Sequence, residues 1–267
     1  MKLAMTGKGG VGKTTLSVCL ARYLAEQGED VILLDADPDA DTALTLGLDD
    51  ESTPRPISEM KDLIAERTGA QGTGGEFFSL NPSVEDVPDR FSVAADGVRL
   101  LRMGRLAQGG SGCFCPENAF LKSLLSHLFF GQQQYVILDM EAGIEHLGRG
   151  TAQGVDAMIV VVQPGRTSVK TAFSIQRYAS DIGLYNIGAI VNNYRSEEQF
   201  EEVASRLGSL PVLGGFPYDE HVWQSDLDGT CPYAGTDSQR KRIGGLLSAI
   251  QDFVTGRKQE ENNSKSD

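Results

Sequence analysis

The chain lacks a surplus of positive charge, a long apolar run and an abundance of thiols. Its 24 Lys and Arg are outnumbered by 37 Asp and Glu, giving a formal net charge of −13. An acidic surface gains nothing from counterion release, so this balance disfavours nonspecific binding to nucleic acid or to anionic membrane. No apolar run approaches the roughly 20 residues of a membrane span. A strand candidate starts at residue 2, which leaves no room for a signal peptide. The four cysteines are therefore expected in a reducing cytoplasm, where paired thiols are more often metal ligands than disulfides.

What is present is enough apolar material, 40% of 267 residues, to build one large α/β domain. Short apolar strands are expected at 2–6, 31–35, 98–103, 135–139, 157–163, 187–192 and 211–216. Helices are expected between them at 14–27, 57–66, 117–130, 168–182, 197–207 and 239–254. Near-continuous apolar strands suit a parallel sheet covered on both faces. The alternation predicts a doubly wound, mainly parallel sheet flanked by helices, with ligands at the carboxyl ends of the strands. Residues 1–256 are read as one domain with an insertion at about 69–97, and the polar segment 257–267 as a disordered tail.

The first strand candidate runs into Gly7-Lys8-Gly9-Gly10-Val11-Gly12-Lys13-Thr14-Thr15. Glycines let successive backbone N–H groups turn onto a phosphate, and the helix that follows adds the positive end of its dipole. Lys13 suits the β- and γ-phosphates, and the Thr14 hydroxyl suits Mg²⁺. Lys8 exceeds what an ordinary phosphate loop requires.

Three further segments supply carboxylates and amides. Asp35-Ala36-Asp37-Pro38-Asp39-Ala40-Asp41 crowds four carboxylates at a strand end, which calls for a cation nearby. Asp37 fits two roles, holding Mg²⁺ through water or orienting the attacking water. Asp39 and Asp41 fit helix caps. The apolar strand ending at Asp139 is a Walker B arrangement, placing Asp139 at the Mg²⁺ shell. Gly143 is positioned to offer its N–H to a γ-phosphate. Glu141 fits either that switch or a solvated position.

Cys113 and Cys115 lie two apart in a Gly-rich segment, so both can face one ion. A soft tetrahedral site wants four ligands, and a two-fold dimer would supply them as two thiolates from each subunit. Cys19 reads as a buried structural thiol. Cys231, His127, His146 and His221 carry no decisive motif.

Lys8, Lys13, the Asp35/Asp37 pair and Asp139 through Gly143 resemble the deviant-Walker P-loop ATPases of the SIMIBI type. That group includes MinD, ParA, the arsenite-pump ATPase and the nitrogenase iron protein. The resemblance implies ATP/ADP as the ligand and an ATP-dependent homodimer, in which Lys8 reaches the partner's phosphates. Independently, a second cation stabilises the charge of a transferring phosphoryl group. The resemblance also places Asn192 or Asn193, Pro217 and Asp219 around adenine, although turn formation explains each of these residues as well.

Among the branches, Cys113-x-Cys115 most resembles the CooC-type nickel-insertion ATPases. Supporting stretches are Pro56-Ile57-Ser58-Glu59-Met60, Glu66-Arg67-Thr68-Gly69, Asn81-Pro82 and residues 139–150. This likeness implies Ni²⁺, or Zn²⁺ at the same thiolates, and carbon monoxide dehydrogenase or acetyl-CoA synthase as client. One alternative is a 4Fe–4S electron-transfer ATPase like the nitrogenase iron protein, although residues 139–150 supply no second cysteine segment. Another is a MinD- or ParA-like positioning ATPase, which the charged carboxyl end and the acidic balance disfavour.

Overall fold

A computed structural model describes the chain apart from residues 38–40, 71–76, 105–114, 132–133, 142–146, 148 and 265–267. The strands are β1 (Lys2–Gly7), β2 (Val31–Asp35), β3 (Val93–Ala95), β4 (Val98–Arg102), β5 (Tyr135–Asp139), β6 (Ala157–Val162), β7 (Ile187–Tyr194) and β8 (Val212–Pro217). The first five helices are α1 (Lys13–Glu26), α2 (Thr42–Thr45), α3 (Lys61–Thr68), α4 (Val87–Phe91) and α5 (Pro116–Phe130). They are followed by α6 (Arg149–Ala152), α7 (Arg166–Asp181), α8 (Glu197–Leu207), α9 (Glu220–Asp228) and α10 (Asp237–Ser264).

The strands form one sheet in the order β3-β4-β2-β5-β1-β6-β7-β8. Every neighbouring pair is parallel except β3–β4 at the edge. Parallel strands buried on both faces send alternate side chains to opposite sides, and the core divides accordingly. Leu3 and Met5 of β1, Val31 and Leu33 of β2, and Ile159 and Val161 of β6 pack with α1 and α10. Ala4, Ile32, Leu34, Val160 and Val162 pack on the other face with Phe120 and Leu124 of α5 and Ile175 of α7. This is the doubly wound sheet that the strand pattern predicts.

Within the 69–97 excursion lie α4 and the antiparallel edge strand β3, which pairs Val93 with Leu100. The expectation for the carboxyl end needs correction. The terminal helix continues to Ser264, so most of the segment expected to be a disordered tail is helical. Among the described residues no helix is long and apolar enough to cross a membrane.

The order also locates the ligand edge. The chain leaves β1 for β2 on one side of the sheet, while β6 flanks β1 on the other. Such a switch point opens a crevice at the carboxyl ends of the strands.

Candidate nucleotide-binding site

The loop from Gly7 to Gly12 sits in that crevice, and its conformation depends on glycine. Gly12 caps α1 in the left-handed region, with φ 86°, and a Cβ there would run into the Asn192 side chain. A Cβ on Gly7 would run into the Val161 carbonyl of the adjacent strand. No side chain caps α1, so the first-turn N–H groups are left to an anion.

Two side chains from neighbouring strands hold the loop's shape. Asn192 Nδ2 donates to the Val11 carbonyl at 2.7 Å, and Gln163 Nε2 donates to the Gly10 carbonyl at 3.2 Å. The Asn192 amide thus reaches the phosphate loop itself while also lining the cleft. The role of Gln163 was not apparent from sequence, because its partner is 153 residues away.

Beneath the loop, Asp139 is fully buried. Ser17 Oγ donates to Oδ1 at 3.2 Å, and Thr42 Oγ1 to Oδ2 at 3.4 Å. Burial raises its pKa to about 6, opposed by the Thr14 hydroxyl, Lys13 and Ser17. Asp35 lies directly across the β2–β5 ladder from Asp139. Its burial, and then the Asp139 charge, push it up to about 7, even though Arg102 Nε lies 3.2 Å from Oδ2. Asp37 is half-buried, and its N–H donates to Asp35 Oδ1 at 3.3 Å.

A cleft of about 660 Å³ gathers most of the residues singled out above. One end is lined by Gly9, Gly10, Gly12, Lys13, Thr14 and Thr15, with Asp37 and Glu141 facing them. Asn192, beside Gly12, lines the cleft as well, as do Asn193, Pro217 and Asp219. Asn193 adopts a left-handed φ of 58°. Lys13 is 7% exposed, whereas Lys8 is exposed. Val11 is buried beneath the loop. The donors near Lys13 are a hydroxyl at Thr14 and the carboxylates of Asp37 and Asp139, an all-oxygen set that fits Mg²⁺.

The far wall is built from β8 and α9. Asp219 caps α9, its Oδ1 accepting from the His221 N–H at 3.0 Å, and its Oδ2 meets Arg242 Nη1 at 3.3 Å. The Arg242 guanidinium also lies over the Phe216 ring, 5.4 Å from its centroid. Helix α9 was not anticipated from sequence, and with it Val222 and Trp223 were missed as cleft residues. Their signal was the Asp219 cap followed by apolar residues at 222, 223 and 227. Asp41 precedes α2 but makes no side-chain cap bond.

Cys113, Gly143 and His146 lie outside the described residues. Cys115 is the N-cap residue of α5, and its carbonyl accepts from the Ala119 N–H at 3.1 Å. Helix α5 precedes β5, which is parallel to β1. Among the described residues no group of three or more His, Cys, Asp and Glu side chains is arranged to hold a metal. Cys19 is buried against the sheet, and its thiol pKa is raised by that burial.

Residues 2–233 match the CobQ/CobB/MinD/ParA nucleotide-binding domain. The carbon monoxide dehydrogenase accessory protein CooC of Rhodospirillum rubrum is 41% identical over 256 residues, covering 95% of this chain and 97% of that protein. An ATP-binding protein of Methanocaldococcus jannaschii is 43% identical over 232 residues, covering 86% of this chain and 90% of that protein. The fold matches a chain of the MinC:MinD cell division protein complex of Aquifex aeolicus with a TM-score of 0.68 at 20% identity, covering 94% of this chain and 96% of the other. It also matches Pyrococcus horikoshii MinD complexed with Mg-ADP, with a TM-score of 0.64 at 19% identity, covering 92% and 93%. The chain is an ATPase that belongs to the CobQ/CobB/MinD/ParA nucleotide-binding family and, within it, to the CooC type.

Proposed function

We propose that this ATPase is a metallochaperone acting as an ATP-dependent homodimer. It holds nickel on Cys113 and Cys115 of two subunits and inserts it into carbon monoxide dehydrogenase or the related acetyl-CoA synthase. The observation that carries this reading is the 41% identity to Rhodospirillum rubrum CooC along nearly the full length of both chains.

In the proposed site, Lys13 and the amides of Gly9 through Thr15 hold the β- and γ-phosphates. Thr14 and Asp37 would hold Mg²⁺, with Asp139 supporting them, and the ion would supply charge neutralisation at the phosphates. Lys8, which is exposed, adds its ammonium to the partner's γ-phosphate, where charge develops during transfer. The alternative role for Asp37 is to orient the attacking water. Gly143 registers the γ-phosphate through its N–H. Asn192, Asn193, Pro217 and Asp219 form the adenine end.

Closure across Lys8 and assembly of the thiolate site require the same partner subunit. ATP binding and nickel affinity should then shift each other reciprocally. The test is Ni²⁺ titration of the wild type and of Cys113→Ser/Cys115→Ser, with and without a non-hydrolysable ATP analogue, alongside measurement of the dimer mass. About one nickel per two chains, lost in the variant, is expected from the two-fold arrangement. Equal nickel binding without the thiols, or nickel affinity identical in the apo, ADP and ATP-analogue states, would contradict the reading. Zinc competes at such thiolates, so the titration includes a zinc arm.

A further inference from the structure

We infer that Trp223 is the nucleobase platform of the cleft, with the base of the bound nucleotide lying against its indole. The inference rests on a nucleotide occupying this cleft and adds a residue that sets how the nucleoside is held. The aromatic side chains of the cleft lie on one wall. Glycines, Lys13 and hydroxyls line the phosphate end, while the aromatic lining residues, Phe216, Tyr218 and Trp223, all belong to the β8–α9 wall. A nucleotide anchored by its phosphates at the loop extends its planar base toward that wall.

Two of the three rings are already engaged. Phe216 is buried, with the Arg242 guanidinium over it. The Arg195 guanidinium lies 4.3 Å from the Tyr218 ring centroid, and the Tyr218 hydroxyl donates to Glu220 at 2.6 Å. Among the described residues no ring or cation–π contact engages Trp223, and 48% of its surface is exposed. Covering such a ring removes apolar surface from water, and aromatic side chains stack on any base because every base has a π-face.

The backbone beneath Trp223 is fixed before any ligand arrives. Its N–H donates to the Asp219 carbonyl at 3.1 Å in the first turn of α9, and Asp219 itself is held by Arg242. Trp223 is thus presented from an anchored helix. Stacking is indifferent to base identity, so Trp223 contributes affinity for nucleosides as a class. Selection among bases falls to the polar groups nearby.

Trp223 is the only tryptophan in the chain, so its fluorescence reports directly on this contact. The experiment titrates wild type, Trp223→Ala and Trp223→Phe with Mg-ADP and with inorganic tripolyphosphate, which has no base. Expected are a change in wild-type indole emission with ADP but not with tripolyphosphate, and about tenfold or more weaker ADP binding in Trp223→Ala. Tripolyphosphate affinity should be unchanged in that variant, and Trp223→Phe should retain most of the ADP affinity. Circular dichroism checks that the variants are folded.

Undiminished ADP affinity in Trp223→Ala, or equal losses for ADP and tripolyphosphate, would overturn the inference. Normal ADP binding with lost dimerisation would overturn it by assigning the indole to a protein interface. If wild type bound neither ligand, the nucleotide site itself would fail. If wild type bound both and Trp223→Ala bound ADP as tightly, only the platform would fail.

Discussion

The Asn192 side chain, at the carboxyl end of β7, donates a 2.7 Å hydrogen bond to the Val11 carbonyl inside the phosphate loop. A strand two positions from β1 in the sheet thereby fixes the shape of the loop after β1. Truncating a buried donor leaves its acceptor unpaired, at about 1–3 kcal/mol. Asn192→Ala should lower stability by that amount in urea unfolding and weaken ADP binding in parallel. Unchanged values for both would show that the loop holds its shape without the tether.

Gly12 faces the same amide. Gly12→Ala places a Cβ against Asn192 Nδ2 at φ 86°, combining a clash with a left-handed backbone. Strain of this kind costs about 1–3 kcal/mol. The variant should lose ADP affinity and stability together, measured by calorimetric titration and thermal unfolding.

Asp35 and Asp139 give the Mg²⁺-free protein a pH signature. Both pKa values are raised by burial, to about 7 and about 6, against about 3.9 for an unfolded Asp. From about pH 4 to 7 the folded state therefore binds more protons than the unfolded state. Stability from these groups is present at low pH and lost as pH rises through their folded values. In chelator, unfolding free energy against pH should carry a falling contribution over this window that is reduced in Asp35→Asn. An identical slope in wild type and Asp35→Asn would exclude the assignment.

Arg242 supports the distal wall by pairing with Asp219 and lying over Phe216. The pair is partly solvated, so Arg242→Ala should alter stability by no more than about 1 kcal/mol. ADP affinity should fall several-fold while tripolyphosphate affinity stays unchanged. Competition binding with the two ligands reads the difference.

The parallel sheet was legible because strands such as residues 157–162 are unbroken apolar runs. Strand β3 was not, being three residues long, incompletely buried and defined by its pairing to β4. The continuation of α10 past Val254 was hidden by its polar composition, which suits a solvated helix as well as a disordered tail. The phosphate-loop candidates form one local run, Gly7 to Thr15, and could be named from sequence. The loop's supports could not be, since Thr42 and Ser17 meet Asp139 across 97 and 122 residues. Asp219 was read as either a base neighbour or turn chemistry. The structure shows the carboxylate capping α9 at the edge of the cleft.

The central claim is that Lys8 works on the partner subunit's nucleotide, consistent with its exposure while Lys13 is buried. The most direct measurement mixes inactive Lys8→Gln and Lys13→Gln subunits and follows ATP hydrolysis. In a mixed dimer, the Lys8→Gln subunit keeps Lys13 and receives Lys8 from its partner, completing one of two sites. Random pairing at equal concentrations then restores about a quarter of the wild-type rate. Recovery to that level supports a lysine acting in trans. Full activity of Lys8→Gln alone, or no recovery in mixtures shown to contain the mixed dimer, would contradict it.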